Sequence, residues 1–128
     1  MNKRKIGSKY EEMAASYLAA HGLKILEHNF RNRYGEIDII ARDKGYTVFV
    51  EVKYRTGSMA GAPEEAVTPK KQWTICRVSD YYRRLHGMGD DAAIRYDVLA
   101  IHTGAEAKVL DNTDLRWYKD AFPYIPAN

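Results

Sequence analysis

At 128 residues, 45% hydrophobic and 29% charged, the chain has room for one ordinary core and too little for two, so a single α/β domain spanning residues 1–128 is expected. No window approaches the ~20 apolar residues of a membrane span, no apolar signal-type stretch follows the basic opening Met1-Asn2-Lys3-Arg4-Lys5, and a lone Cys76 excludes an internal disulfide or a cysteine metal cluster. The expectation is a cytoplasmic protein without a membrane partner, and a net charge of +3 is too small to identify a polyanion partner without local clustering.

Residues 1–6 form a basic N-terminal segment expected to be flexible. Tyr10, Met13, Ala14, Tyr17 and Leu18 then recur at helical spacing, with Ser8 as the expected N-cap and Gly22 as the stop. Leu23 to Phe30 reads as a strand with ragged alternation. Arg31 to Tyr34 makes a basic turn. Glu36–Ala41 and Thr47–Tyr54 are rich in β-branched residues, and Gly45 between them supplies a tight reversal, which predicts a hairpin. Thr56 to Pro63 reads as a surface loop. Thr68-Pro69 is an N-cap and N1 pair opening a helix to about Leu85, with His86-Gly87 as the stop. A strand over about 93–101, a short one near Lys108–Leu110, and an aromatic tail from Trp117 to Pro126 that packs on the domain complete the order αβββαβ.

A reversal about Lys44-Gly45 opposes residues whose numbers sum to 89, so Asp38 faces Glu51 and Glu36 faces Lys53. Period-two alternation then puts Glu36, Asp38, Glu51, Lys53 and Arg55 on one face, with Ile37, Ile39, Val50 and Val52 on the other. A hairpin whose charged face simply meets solvent is the plain alternative. It accounts for Glu36 opposite Lys53 but not for two carboxylates opposite each other, which are destabilising unless something positive lies between them. A hard cation such as Mg²⁺ removes that repulsion.

An Asp, a hairpin's length of chain and Glu-x-Lys together resemble the PD-(D/E)-x-K nuclease superfamily. The surrounding residues Arg33-Tyr34-Gly35-Glu36-Ile37-Asp38-Ile39-Ile40-Ala41, Val48-Phe49-Val50-Glu51-Val52-Lys53-Tyr54-Arg55, Ala62-Pro63-Glu64-Glu65-Ala66-Val67, Lys71-Gln72 and Arg95-Tyr96-Asp97-Val98 narrow it. They resemble the YraN-type bacterial family, thought to be endonucleases similar to archaeal Holliday-junction resolvases, over about residues 7–122. The resemblance implies a restriction-endonuclease-like αβββαβ core, with a central mixed sheet flanked by two long helices. It further implies hydrolysis of nucleic-acid phosphodiesters, with Mg²⁺ or Mn²⁺ as cofactor and DNA rather than RNA, branched DNA included, as partner. A homodimer follows from the likeness to junction resolvases.

By the same resemblance Asp38 and Glu51 are metal ligands, the Val52 carbonyl is a further oxygen ligand, and Lys53 orients water or stabilises charge on the phosphate. Glu11 matches the acid of the family's first helix, where Tyr10 replaces a glycine; the competing role is a capping box with Ser8. Glu36 reads first as the ion-pair partner of Lys53 and second as a metal ligand. Arg33, Arg55, Lys70, Lys71 and Gln72 are candidate nucleic-acid contacts, with a solvated helix face as the alternative for the last two. Arg77, Arg83 and Arg84 are expected to meet phosphate or solvent, Asp97 to serve as a structural hydrogen-bonding group, and Trp73, Tyr81 and Tyr82 to lie in the core or an interface. The four histidines show no metal-ligand spacing, and Cys76 reads as a packed thiol. Two other classes of function compete with the enzyme: a nuclease-fold binder without turnover, and an assembly protein using the charged face. Asp38, Glu51 and Lys53 together favour the enzyme, because a binder needs no paired carboxylates.

Overall fold

A computed structural model describes residues 3–56, 67–103 and 113–128, with side chains over 9–54, 67–102 and 115–128. The order is α1 (Lys3–Ala20), β1 (Lys24–Asn32), β2 (Gly35–Asp43), β3 (Tyr46–Thr56), α2 (Pro69–Leu85), β4 (Ile94–Thr103) and β5 (Thr113–Phe122). The expected α/β fold with a mixed sheet and two long helices is present. The strands lie in the order β1-β2-β3-β4-β5, antiparallel except for the β3/β4 pair, whose parallel direction requires the crossover that α2 supplies. Neither described helix is long and apolar enough to cross a membrane.

The helices cover opposite faces. Leu18 and Ala14 of α1 pack with Ile39, Val48, Val50, Leu99 and Ile101. Ile75, Cys76, Val78 and Tyr82 of α2 pack with Ile40, Phe49, Tyr96 and Val98. The alternation along β3 and β4 divides the two clusters, and each fully buried Leu, Ile or Phe contributes about 1.5–3 kcal/mol. Ile37 departs from the expected alternation: it joins Ile40 and Phe49 on the α2 side instead of sharing a face with Ile39. The strand therefore rotates between them, at Asp38.

Both ends of α2 match the sequence reading. Thr68 accepts the Lys71 N–H at 3.1 Å, Pro69 opens the helix, and Gly87 turns out of it with φ +61°. The start of α1 does not. The helix begins at Lys3, so Ser8 lies within it, and most of the basic segment 1–6 has helical backbone. Gly7 costs a helix only ~1 kcal/mol and did not stop it. The expected loop over 56–63 and the short strand near 108–110 fall largely or wholly outside the described residues. The tail contains a strand, β5, that the sequence reading missed. Its Leu115 and Trp117 face one core while Tyr118 and Phe122 face the other, with Asp120 at φ 53° between them.

Asp97 anchors that strand. Fully buried, it accepts both Arg95 Nε (2.9 Å) and Nη2 (3.0 Å), Trp117 Nε1 (2.9 Å) and the Asp120 N–H (2.9 Å). Its expected structural role is borne out. Cys76 is buried, as expected, and its sulfur accepts the Ile125 N–H at 3.3 Å.

Candidate active site

The hairpin register follows the predicted sum as far as Ile39–Val50, and there the β2/β3 ladder ends. Beyond that pair β2 continues against β1 to Gly35, and β3 continues against β4 to Thr56. The sheet thus forks immediately at Asp38 and Glu51. Direct opposition of the two carboxylates across a ladder was the expectation; instead Asp38 leans across the fork and accepts the Val52 N–H at 2.8 Å. A strand residue directs its N–H and C=O towards the same neighbour, so the Val52 carbonyl faces this gap too.

Glu51 is only 5% exposed and stands between two ammonium groups, Lys53 Nζ at 3.3 Å and Lys71 Nζ at 4.0 Å. Burial, and then the charge of Glu51, push the Asp38 carboxyl up to about 8, against the lowering effect of the Val52 hydrogen bond; Glu11 adds a smaller upward push. Two carboxyls that close share a proton or attract a cation. Among the described residues no three His, Cys, Asp or Glu side chains converge on one point. That donor set suits Mg²⁺ or Mn²⁺ better than a cation needing a full protein cage, because Mg²⁺ is commonly held by one or two carboxylates and completes its shell with water and substrate phosphate.

Glu11 is not part of a capping box, since Ser8 lies inside the helix. Its Oε1 accepts Asn29 Nδ2 at 2.7 Å, and the same amide nitrogen lies 3.4 Å from Glu36 Oε2. Asn29 reaches both because its backbone sits at φ 51°, a left-handed conformation that asparagine tolerates better than most residues. Stacking of Tyr10 on Tyr54, with ring centroids 4.3 Å apart, ties this stretch of α1 to the end of β3. Glu36 pairs with Arg31 at 3.2 Å rather than with Lys53, because its strand follows β1 after the fork. Asn29 was absent from the sequence reading; the signal was an asparagine interrupting a ragged strand, a residue that strands disfavour.

The candidate nucleic-acid contacts are dispersed. Lys71 is brought to the carboxylates. Gln72 donates to the Val67 carbonyl at 3.1 Å, bracing the chain before α2, and Lys70 is exposed beside it. Arg33 is exposed on the β1–β2 turn, donating to the Tyr34 hydroxyl at 3.1 Å. Arg55 lies near the end of β3, with its side chain outside the described residues. Arg77 is not the solvent-facing side chain that was one of its two expected settings. It is buried, paired with Asp80 at 3.1 Å and bonded to the Tyr124 hydroxyl and the Ile125 carbonyl, because the C-terminal tail folds over it. Arg83 donates to the Gly89 carbonyl at 3.0 Å, and Arg84 is exposed. Tyr82 is core, whereas Trp73 and Tyr81 are partly exposed.

The chain matches the "Uncharacterised protein family UPF0102" over residues 10–101. It is 43% identical over 122 residues to a UPF0102 protein of Lachnoclostridium phytofermentans, covering 95% of this chain and 96% of that one. A UPF0102 protein of Aliivibrio salmonicida is 40% identical over 94% of this chain and 93% of its own length. One from Alkaliphilus oremlandii is 49% identical over 79% and 86% respectively. The chain belongs to the UPF0102 family.

Proposed function

We propose that the protein is a metal-dependent endonuclease of the PD-(D/E)-x-K type, hydrolysing nucleic-acid phosphodiesters at the fork between β2 and β3. The observation that carries this reading is the meeting of Asp38, Glu51 and Lys53 where the ladder opens, with a carboxyl driven up to about 8 by burial and by its neighbour. Asp38, Glu51 and the Val52 carbonyl would hold Mg²⁺ or Mn²⁺. When bound, the ion polarises the phosphoryl oxygen and acidifies a water.

The remaining work falls to the chain itself. Lys53, 3.3 Å from Glu51, exchanges that contact for the oxygens of the phosphate as negative charge builds on them. Lys71 stays beside Glu51 as a second positive charge. Glu11, steadied by Asn29, adds negative charge near Asp38 and so favours a cation or a proton at the fork.

An activity screen with Mg²⁺ and Mn²⁺ against linear, nicked, flapped and four-way DNA tests this, with Lys53→Ala as control. The variant is expected to bind as wild type and cut about 10²–10³-fold more slowly. Equal cutting by both proteins would remove the assignment. The proposal extends, on the resemblance to junction resolvases, to DNA rather than RNA and to a homodimer presenting two sites to a branched substrate. Light scattering alongside the junction assay checks the dimer. A nuclease-fold binder is the result if divalent metal binds and no substrate is cut.

A further inference from the structure

Between the β1–β2 turn and α2 lies a cavity of about 430 Å³, within the roughly 300–1,000 Å³ of small-ligand sites. Its walls are mostly arginine and tyrosine: Arg31 and Asn32 at the end of β1, Arg33 and Tyr34 of the turn, and Arg77, Tyr81 and Arg84 from one face of α2. Arg31 is answered by Glu36 and Arg77 by Asp80, whereas among the described residues no carboxylate pairs with Arg33 or Arg84. Arg77, 5% exposed, also has an Nη1 with no hydrogen-bond partner among the described residues. Two unneutralised guanidinium groups on one cavity suit an anion.

The aromatic residues narrow the choice. Tyr81, backed on one side by Phe30 at 5.9 Å between ring centroids, is 36% exposed, and Tyr34 stands edge-on to Trp73 at 5.8 Å. Basic grooves interleaved with open aromatic rings are how single-stranded nucleic acids are held, phosphate on arginine and base on ring. An acidic peptide would satisfy the arginines and leave the ring unused.

We propose that this cavity holds an unpaired nucleotide of the substrate strand, its phosphate against Arg33 and Arg84 and its base against Tyr81. The link to cleavage rests on the nuclease reading above; contacts run from Arg31 of the pocket through Glu36 and Asn29 to Glu11, whose charge is felt by Asp38. A continuous duplex keeps its bases stacked inside and offers the pocket only phosphate. Flaps, gaps and junction arms with unpaired bases offer both, and are therefore selected.

Fluorescence anisotropy on the full chain in EDTA tests this without any turnover, using labelled oligothymidylate, a blunt duplex of equal length and an oligoglutamate peptide. Tyr81→Ala is expected to weaken oligothymidylate binding by about five- to a hundred-fold, with Tyr81→Phe close to wild type. Arg84→Ala should weaken it too and lower the salt slope by about 0.7, one phosphate contact's share on a single strand. Duplex binding by Tyr81→Ala should change by less than about twofold, and circular dichroism melts confirm that the variants fold. Unchanged oligothymidylate binding by Tyr81→Ala, equal losses on duplex and single strand, or tighter binding of oligoglutamate than of oligothymidylate would each overturn the pocket. A protein that shows the expected losses yet never cleaves keeps the pocket and discards the nuclease.

Discussion

Asp38 caps the backbone of Val52 across the opening between β2 and β3, its carboxylate accepting the Val52 N–H at 2.8 Å just past the last ladder pair, Ile39–Val50. That bond replaces a ladder hydrogen bond with a side-chain one, so the fork is held open at little cost while a carboxylate is fixed beside Glu51. A main-chain donor left unpaired there would cost about 1–3 kcal/mol. Stability and the proposed chemistry thus meet in one side chain, and substitutions can separate them.

Asp38→Ala removes the acceptor and is expected to lower stability by about 1–3 kcal/mol. Asp38→Asn keeps an acceptor and removes a charge crowded by Glu51, so at pH 8 it should unfold at the wild-type denaturant concentration or above. Both should lose Mn²⁺ binding. Urea titrations of the three proteins decide it; equal destabilisation by Ala and Asn would refute the capping role.

The raised Asp38 carboxyl fixes the sign of a pH effect. Its folded pKa, about 8, exceeds the unfolded 3.8, so the folded state binds the extra proton between those values. The contribution is fully present below the unfolded value and is lost as pH rises through the folded one. Metal-free wild-type protein should therefore lose stability relative to Asp38→Asn from about pH 4 to pH 8. Binding of Mn²⁺ must displace that proton, so its affinity should rise by about tenfold per pH unit below 8. Calorimetry in buffers of different ionisation enthalpy measures the released proton directly.

The Asn29 amide bridges two acids, Glu11 and Glu36. Asn29→Gly keeps the left-handed backbone accessible and deletes the amide, so stability should stay close to wild type. Metal affinity or cleavage is expected to fall by about 10–100-fold, the range for groups that orient those around a metal. Asn29→Ala should add a backbone penalty of about 1–2 kcal/mol. Parallel melts and Mn²⁺ titrations separate the two effects, and wild-type Mn²⁺ affinity and cleavage in the Gly variant would deny Asn29 a positioning role.

Asp97→Ala leaves Arg95 with Asp43 alone, 3.0 Å away, and frees the Trp117 and Asp120 donors, for an expected loss of about 1–3 kcal/mol. Mn²⁺ bound per folded molecule should not change. Guanidinium unfolding with a metal titration under native conditions checks both halves.

Gly35 approaches α2 so closely that a Cβ there would lie 2.7 Å from Thr74 Cγ2. Gly35→Ala should cost about 1–3 kcal/mol by overpacking. Thr74→Ser deletes the offending methyl, and the double variant should recover part of the loss, a coupling that a double-mutant cycle reads.

Much of this was legible locally. The hairpin register came from two β-branched runs about Lys44-Gly45, and both ends of α2 from Thr68-Pro69 and His86-Gly87. The grouping of Asp38, Glu51 and Lys53 followed from period two. These depend on neighbours within a turn or a hairpin, where geometry is nearly fixed by residue type. What the sequence did not contain in local form was the choice of partner strand beyond Ile39–Val50. That choice moved Glu36 from Lys53 to Arg31, swung Ile37 to the α2 side and gave Asp38 the Val52 N–H. Likewise the burial of Arg77 awaited the tail at Tyr124 and Ile125, and β5 required an Asp97 anchor some twenty residues upstream. Each was decided by contacts between segments distant in the chain, where competing packings are resolved by the whole core and not by the propensity of any one segment.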